Sequence, residues 1–290
     1  MKFKTKSLNI LRSVLKIPLL EESLKRLVKD KSSNSFLGKL VPNNYQYQKG
    51  SWRVCKKNGI NLKLDIHDYV GHYMYFQFKD AGQERLVSFA KKGDYVLDIG
   101  TNIGVTLLNF AQKVAREGMV YGFEPDPENY GYCIQNIGLN SFTNIQLENF
   151  GLGKENGTFS MVVDTESNRG CNRITFDESR KESYEVKVET LDNWAFEVGL
   201  SKLDLVKIDV EGFEFQVLSG GKSLLAKYKP TMFIELDDNN LKSVGDSAKE
   251  VISFLFNQLG YKTIVKAEND QIISIDDDFS NCHFDIVVNN

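Results

Sequence analysis

Residues 96–104 read VLDIGTNIG, and the fold of the chain turns on these nine positions. The apolar pair Val96-Leu97 runs into Asp98. A turn follows at Gly100 and Gly104, and VTLLNFAQKVA (105–115) then carries apolar residues at helical spacing. A buried strand that turns through glycines into a helix is the first unit of a nucleotide-binding α/β sheet. The glycines let backbone approach a ligand, and the free amides of the helix N-terminus meet its polar end.

Outward from this unit the alternation continues. Strands are predicted over 95–99, 119–124, 144–149, 203–209, 231–236, 261–266 and 284–288, and helices over 103–115, 127–140, 212–227 and 246–258. Strand–helix alternation of this kind predicts a doubly wound, mostly parallel sheet. The last two strands have no helix between them, which predicts one antiparallel strand near the C-terminus. Residues 154–190 break the rhythm with polar, Thr/Val-rich sequence and read as an inserted pair of strands over the ligand crevice, or a mobile cap.

The glycine spacing is G-x-x-x-G, so the third glycine of a dinucleotide site is absent. A ligand with adenosine but no pyrophosphate fits better, and S-adenosylmethionine (SAM) is the obvious one. Asp98, Gly100, Asn102 and Gly104 are its candidate contacts in the turn. A side chain at Gly100 is expected to exclude the ligand and leave the fold intact. The second strand ends in FEPDP (123–127), and an acid at this point commonly accepts hydrogen bonds from the two ribose hydroxyls. Glu124 is that acid. Asn149, at the end of the third strand, is a candidate for the adenine edge or a plain turn residue.

The fourth strand ends in KIDVEGFE (207–214). Asp209 sits where ligands of open α/β sheets bind, so it counts as both cofactor-binding and catalytic. Glu211 follows in the loop. Two carboxylates beside a sulfonium would stabilise its charge or deprotonate an acceptor. Lys207 reads as a structural partner of one of these acids. Asp209, Glu235, Asp237 and Asp238 are candidates to converge on a divalent cation, but no spacing is metal-specific, and no metal is expected. His72, with His67, flanks the aromatic stretch HDYVGHYMYFQF (67–78) and is the reserve catalytic candidate.

At 290 residues the chain has room for one large domain with an appendage: an N-terminal extension over 1–80 and the ligand-binding domain over 81–290. The extension reads as a basic helix over 7–30, a linker over 32–44 and a hairpin turning at Asn58-Gly59. In the helix, Leu8, Leu11, Leu15 and Leu19 are expected to pack on the chain's own domain. Residues 1–40 carry a net charge of +7, so a peripheral membrane or protein contact through them is a second reading. The whole chain is −3, which gives no general affinity for nucleic acid. Four scattered cysteines without a C-x-x-C pair suit a reducing, cytoplasmic compartment.

Together, GDYVLDIGTNIG (93–104), GFEPDP (122–127), IQNIGLN (134–140), the TLD of 190–192, VKIDVEGFEFQVLSGG (206–221) and the P-x-x-F-I-E run of 230–235 resemble the FkbM family of SAM-dependent methyltransferases. The resemblance covers about residues 84–236 in order. Thr101 departs from it, standing where the family usually has alanine. It implies a class I methyltransferase (Rossmann-like) fold and methylation of a hydroxyl on a sugar, glycan or other small molecule. It does not carry over an acceptor. Two other functions compete: a non-catalytic SAM-binding scaffold docking through the basic N-terminus, and a nucleic-acid methyltransferase. The acidic core disfavours the second, and no nucleic acid is expected as a partner.

Overall fold

The computed structural model describes residues 3–163, 165, 167–176 and 183–290, with backbone only for residues 3–7. Residues 164, 166 and 177–182 of the 154–190 insertion, and residues 1 and 2 of the basic segment, lie outside the described residues. The chain divides into two compact units, one of Met1–Ala81 with Thr165–Gly170, the other of Gly82–Asp164 with Cys171–Asn290.

In the first unit, Pro18 splits the helix expected over 7–30. Proline is tolerated only in a helix's first turn, so α1 (Phe3–Val14) ends and α2 (Pro18–Val28) begins with it. The leucine stripe is thereby broken: the face α2 buries is Glu21, Leu24 and Val28, and Leu19 is 82% exposed. Buried Glu21 is paired with Arg53 at 2.7 Å and accepts from Tyr75 Oη. Residues 32–44 are not a plain linker, because a 3₁₀ turn forms at Gly38–Leu40 and Val41 is buried. β1 (Trp52–Lys57) and β2 (Ile60–Asp65) pair antiparallel, with positive φ at both Asn58 and Gly59, as the hairpin turn requires. α3 (Tyr69–Tyr75) is capped by Asp68, whose second oxygen accepts from Arg169 N. Ser167 O accepts from Tyr69 N and Asn44 Nδ2. Part of the insertion thus belongs to this unit.

α4 (Ala81–Ser88) leads into the second unit. There β3 (Tyr95–Ile99), α5 (Val105–Val114), β4 (Met119–Phe123), α6 (Pro127–Gly138) and β5 (Ile145–Glu148) wind one way. β6 (Gly151–Leu152) comes next, then the insertion with β7 (Gly157–Val162), β8 (Arg173–Thr175) and β9 (Ser183–Glu189), then α7 (Leu191–Glu197). The other half comprises β10 (Leu205–Ile208), α8 (Glu214–Gly220), α9 (Lys222–Tyr228), β11 (Thr231–Asp237), α10 (Asp238–Ser243), α11 (Ala248–Ser253), β12 (Thr263–Lys266) and β13 (His283–Asn289). The helix expected over 212–227 is two, broken at Gly220-Gly221. That expected over 246–258 starts at Ala248 and ends in a π-helical turn, Phe254–Gln258.

The seven-stranded sheet has the order β12-β13-β11-β10-β3-β4-β5, with β13 antiparallel to both neighbours. Successive central strands are buried on both faces, as a sheet covered by helices demands. Val96, Val120 and Leu205 pack with Leu107, Phe110 and Ala111 of α5, while Leu97, Ile99, Val206 and Ile208 pack with Trp194 and Leu225. Strand order reverses between β3 and β10, so the loops after their carboxyl ends diverge and leave a crevice at that point.

The insertion supplies three strands rather than a pair, and β7, β8 and β9 join β6, just before it, in a four-stranded sheet of order β6-β9-β7-β8. Its apolar face (Met161, Ile174, Val186, Val188) packs on Phe213 and Val244. It therefore stands over the carboxyl ends of β10 and β11.

Candidate active site

The glycine turn is fixed by hydrogen bonds to the neighbouring strand. Gly100 N and Thr101 N both donate to Phe123 O, and Thr101 Oγ1 donates to Asp98 O while accepting from Phe123 N. The hydroxyl at position 101 thus ties β3 to β4. Buried Asn136 holds the far side of the turn by donating to Ile103 O at 2.9 Å. Asn102 is left-handed, with φ 52°, and Gly104 caps α5 with φ 88°. Gly100 has φ 80°, and a Cβ there would collide with the carbonyl oxygen of Asp209. The close approach that demands glycine is therefore to the end of β10. The expectation that a side chain at Gly100 would spare the fold is corrected accordingly.

Asp98, Lys207 and Asp209 converge beneath this turn because β3 and β10 pair in parallel, with Asp98 opposite Lys207. Lys207 Nζ donates to Gly100 O at 2.7 Å and lies 3.2 Å from Asp209 Oδ2 and 3.7 Å from Asp98 Oδ1. Burial alone would push the ammonium down, but Asp209 and Asp98 outweigh it and hold its pKa above the ordinary lysine value. Asp98 is fully buried and neither carboxylate oxygen has a hydrogen-bond partner; burial pushes it up to about 6 against the pull of Lys207. Asp209 is half-exposed at the rim of the crevice.

Glu124 is buried just past β4. One of its oxygens accepts from Asn102 N at 2.7 Å and the other from Asp126 N at 2.9 Å. Burial lifts its pKa to about 7. A carboxylate has about four lone-pair sites, so each oxygen keeps one for a hydroxyl. Asn149 is exposed and its amide donates to Glu124 O, so it braces the strand end. Asp126 carries a structural load that sequence spacing alone did not reveal. It caps α6 through one oxygen and accepts from Asn172 Nδ2 and Tyr184 Oη through the other, tying the small sheet to the crevice wall.

Glu211 projects from a loop that is tightly specified. Its φ is 54°, and the next residue, Gly212, has φ 106°. Glu214 Oε1 accepts from Val210 N and Gly212 N, which fixes this turn from within. Asn240 Nδ2 donates to Glu211 Oε2 at 2.9 Å. Burial first, then Asp209 and Glu214, raise Glu211 to about 7. Glu235, from β11, joins it: Asp209, Glu211 and Glu235 each offer an oxygen within 4.8 Å of the others. Burial and this crowding raise Glu235 to about 10, so it stays protonated at neutral pH. Asp237 and Asp238 do not join. Asp237 caps α10 and pairs with His283; Asp238 accepts from Ala248 N and Asn281 N.

His72 lies inside the first unit. Its Nε2 donates to the Pro42 carbonyl at 2.7 Å, its ring packs on Phe76, and burial depresses its pKa to about 4. An imidazole so buried stays neutral and serves packing. His67 Nδ1 is likewise engaged with Tyr47 O. Asn240, Glu214 and Asp126 are the site residues that sequence reading missed. An Asn or Asp after a strand reads as a turn or a cap, and only the fold brings it to a carboxylate.

A family model described as the methyltransferase FkbM domain matches residues 98–263, more than half of the chain. The chain belongs to this family of methyltransferases, whose methyl donor is SAM. Among curated proteins it is 29% identical over 176 residues to the 2-O-methyltransferase NoeI of Sinorhizobium fredii, covering 54% of this chain and 69% of that one. It is 28% identical over 135 residues to the hexuronic acid methyltransferase AglP of Haloferax volcanii, covering 47% and 53%. The chain thus spans between about half and two thirds of the relatives' lengths. A solved methyltransferase FkbM from Methylobacillus flagellatus overlays with a TM-score of 0.43 at 16% identity, covering 76% of this chain and 52% of that one.

The crevice suits SAM on its own chemistry. It offers a buried carboxylate in Asp98 whose oxygens accept no hydrogen bond, a second carboxylate in Glu124 with lone pairs in reserve, and a half-exposed one in Asp209 at the switch point. Among the described residues no helix is long and apolar enough to cross a membrane.

Proposed function

We propose that the chain methylates a hydroxyl group of a sugar, glycan or related small molecule. In this reading Asp98, the turn at Gly100, Asn102 and Gly104, and Glu124 hold SAM, with Glu124 on the ribose and Asp209 toward the charged end. Bound SAM supplies an electrophilic methyl group on a sulfonium. Glu211 is the catalytic base. With Oε2 fixed by Asn240, its Oε1 takes the proton of the acceptor hydroxyl as the new bond forms, and its elevated pKa lets it act near neutrality. Asn149 and His72 hold structure in this scheme.

The pairing of Asp209 with a base-competent Glu211 at one strand end is the observation that most favours catalysis over a passive scaffold. The named activity of the 2-O-methyltransferase NoeI favours a hydroxyl as the acceptor, and that of the hexuronic acid methyltransferase AglP favours a sugar. The test incubates the chain with methyl-labelled SAM and a panel of sugars, uronic acids and oligosaccharides, with RNA and DNA in parallel. Label on a sugar oxygen supports the proposal. SAM binding with no transfer to any of these acceptors would favour the scaffold. Label on nucleic acid would overturn the acceptor class.

A further inference from the structure

None of the residues assigned to this chemistry lies in the N-terminal segment, which leaves large apolar side chains in water. On α1, Ile10 and Val14 share a face one turn apart and both are exposed, Ile10 at 69%. On α2 the buried face is Glu21, Leu24 and Val28, and outside it Leu19 and Leu27 are exposed. Phe36, just beyond, is 80% exposed. Arg12 of α1 donates to Lys39 O and Lys16 to Gln46 O, which holds α1 and the turn before α2 against the chain that follows Phe36. Exposed among them are the ammonium-bearing side chains of Lys29, Lys31 and Lys39.

We propose that this face docks onto an anionic lipid surface. Apolar side chains interleaved with lysines are what such a surface takes up: the first enter the boundary between headgroup and acyl chain, the second pair with headgroup charge. Charge decides between occupants. Residues 1–40 carry +7 and the remainder of the chain −10. A second copy would set +7 against +7. A nucleic acid would satisfy the lysines but leave Ile10, Leu19 and Phe36 in water. The apolar residues are spread over two helices and a turn rather than along one helical stripe. That spread suits a surface that yields everywhere better than a groove shaped to one helix. One face of α2 packs on its own unit through Leu24 and Val28, and this proposal concerns the side chains left outside it.

The full chain is floated with vesicles of phosphatidylcholine containing about a third phosphatidylglycerol, and with phosphatidylcholine alone. Binding to the anionic vesicles should exceed binding to the neutral ones by about tenfold or more, and should weaken as salt is raised. Ile10→Glu with Val14→Glu, and separately Lys29→Glu with Lys31→Glu, should each lower it by about tenfold or more. All four side chains are exposed, so circular dichroism should be unchanged. Wild-type protein that fails to float overturns the proposal, as does an Ile10/Val14 variant that floats normally, since plain charge adsorption would then suffice. A wild-type dimer that the Ile10/Val14 variant splits would overturn it in favour of a second copy.

Discussion

Lys207 Nζ stands 3.2 Å from Asp209 Oδ2 and 3.7 Å from Asp98 Oδ1, so one buried cation serves two carboxylates that β3 and β10 bring to the switch point. The same ammonium donates to Gly100 O and so holds the turn above it. Charge balance and loop shape in the crevice therefore share a single side chain.

Removing that side chain should be severe. Lys207→Met leaves Asp98 buried without a counter-ion, and stability should fall by about 3–5 kcal/mol. Burial already holds Asp98 up at about 6, so the deficit should shrink as pH drops and the lone carboxyl takes a proton. Adding Asp98→Asn should recover part of the loss. Urea denaturation across pH checks this; a deficit independent of pH would mean that the turn, not the charge, accounts for it.

Glu124→Ala should weaken SAM binding by about 1–3 kcal/mol, the cost of leaving polar groups unpaired. Calorimetry with SAM measures it directly. Because Glu124 also accepts from Asn102 N and Asp126 N, the variant should melt earlier as well. Unaltered affinity would place the ribose elsewhere.

The pH dependence of turnover follows from Glu211. A base raised to about 7 is charged above that pH and protonated below it, so rate should fall as pH drops through about 7. Glu211→Gln should keep SAM binding, lose about a hundredfold or more in rate, and flatten that limb of the profile. A Glu211→Gln enzyme at the wild-type rate would remove Glu211 from the chemistry.

Activity should survive exhaustive chelation. Three carboxylates within 4.8 Å could receive a divalent ion, but Lys207 already neutralises Asp209, and Glu235 holds its proton to about 10. Loss of activity with EDTA and recovery with magnesium would make Asp209, Glu211 and Glu235 ligands instead.

Stability should also respond to the buried acids. Glu214 is raised to about 7 in the folded chain, above its ordinary 4.5. Its contribution is therefore fully present below the lower value and lost as pH rises through the higher one. Melting temperature should climb between about pH 8 and pH 6, and Glu214→Gln should reduce that slope. A variant with the wild-type slope would show that other groups set it.

The amino-acid sequence by itself determined the strand–helix alternation, the glycine turn after Asp98 and the acids at the ends of β4 and β10. Hydrophobic period and turn chemistry are local, and a strand end can be read where it stands. The break at Pro18 is as local, since proline is tolerated only in the first turn of a helix. Tertiary structure alone decided which of these acids meet. Asp98 and Lys207 are 109 positions apart and face each other only because β10 pairs with β3 rather than with β5. Glu235 joins the cluster, while Asp237, two residues on and on the same side of the strand, stands at the strand end and is taken up as the cap of α10. Asn240 reaches Glu211 across two loops for the same reason: hydrogen-bond partners of high sequence separation are chosen by the order of strands in the sheet, which no short stretch of the chain encodes.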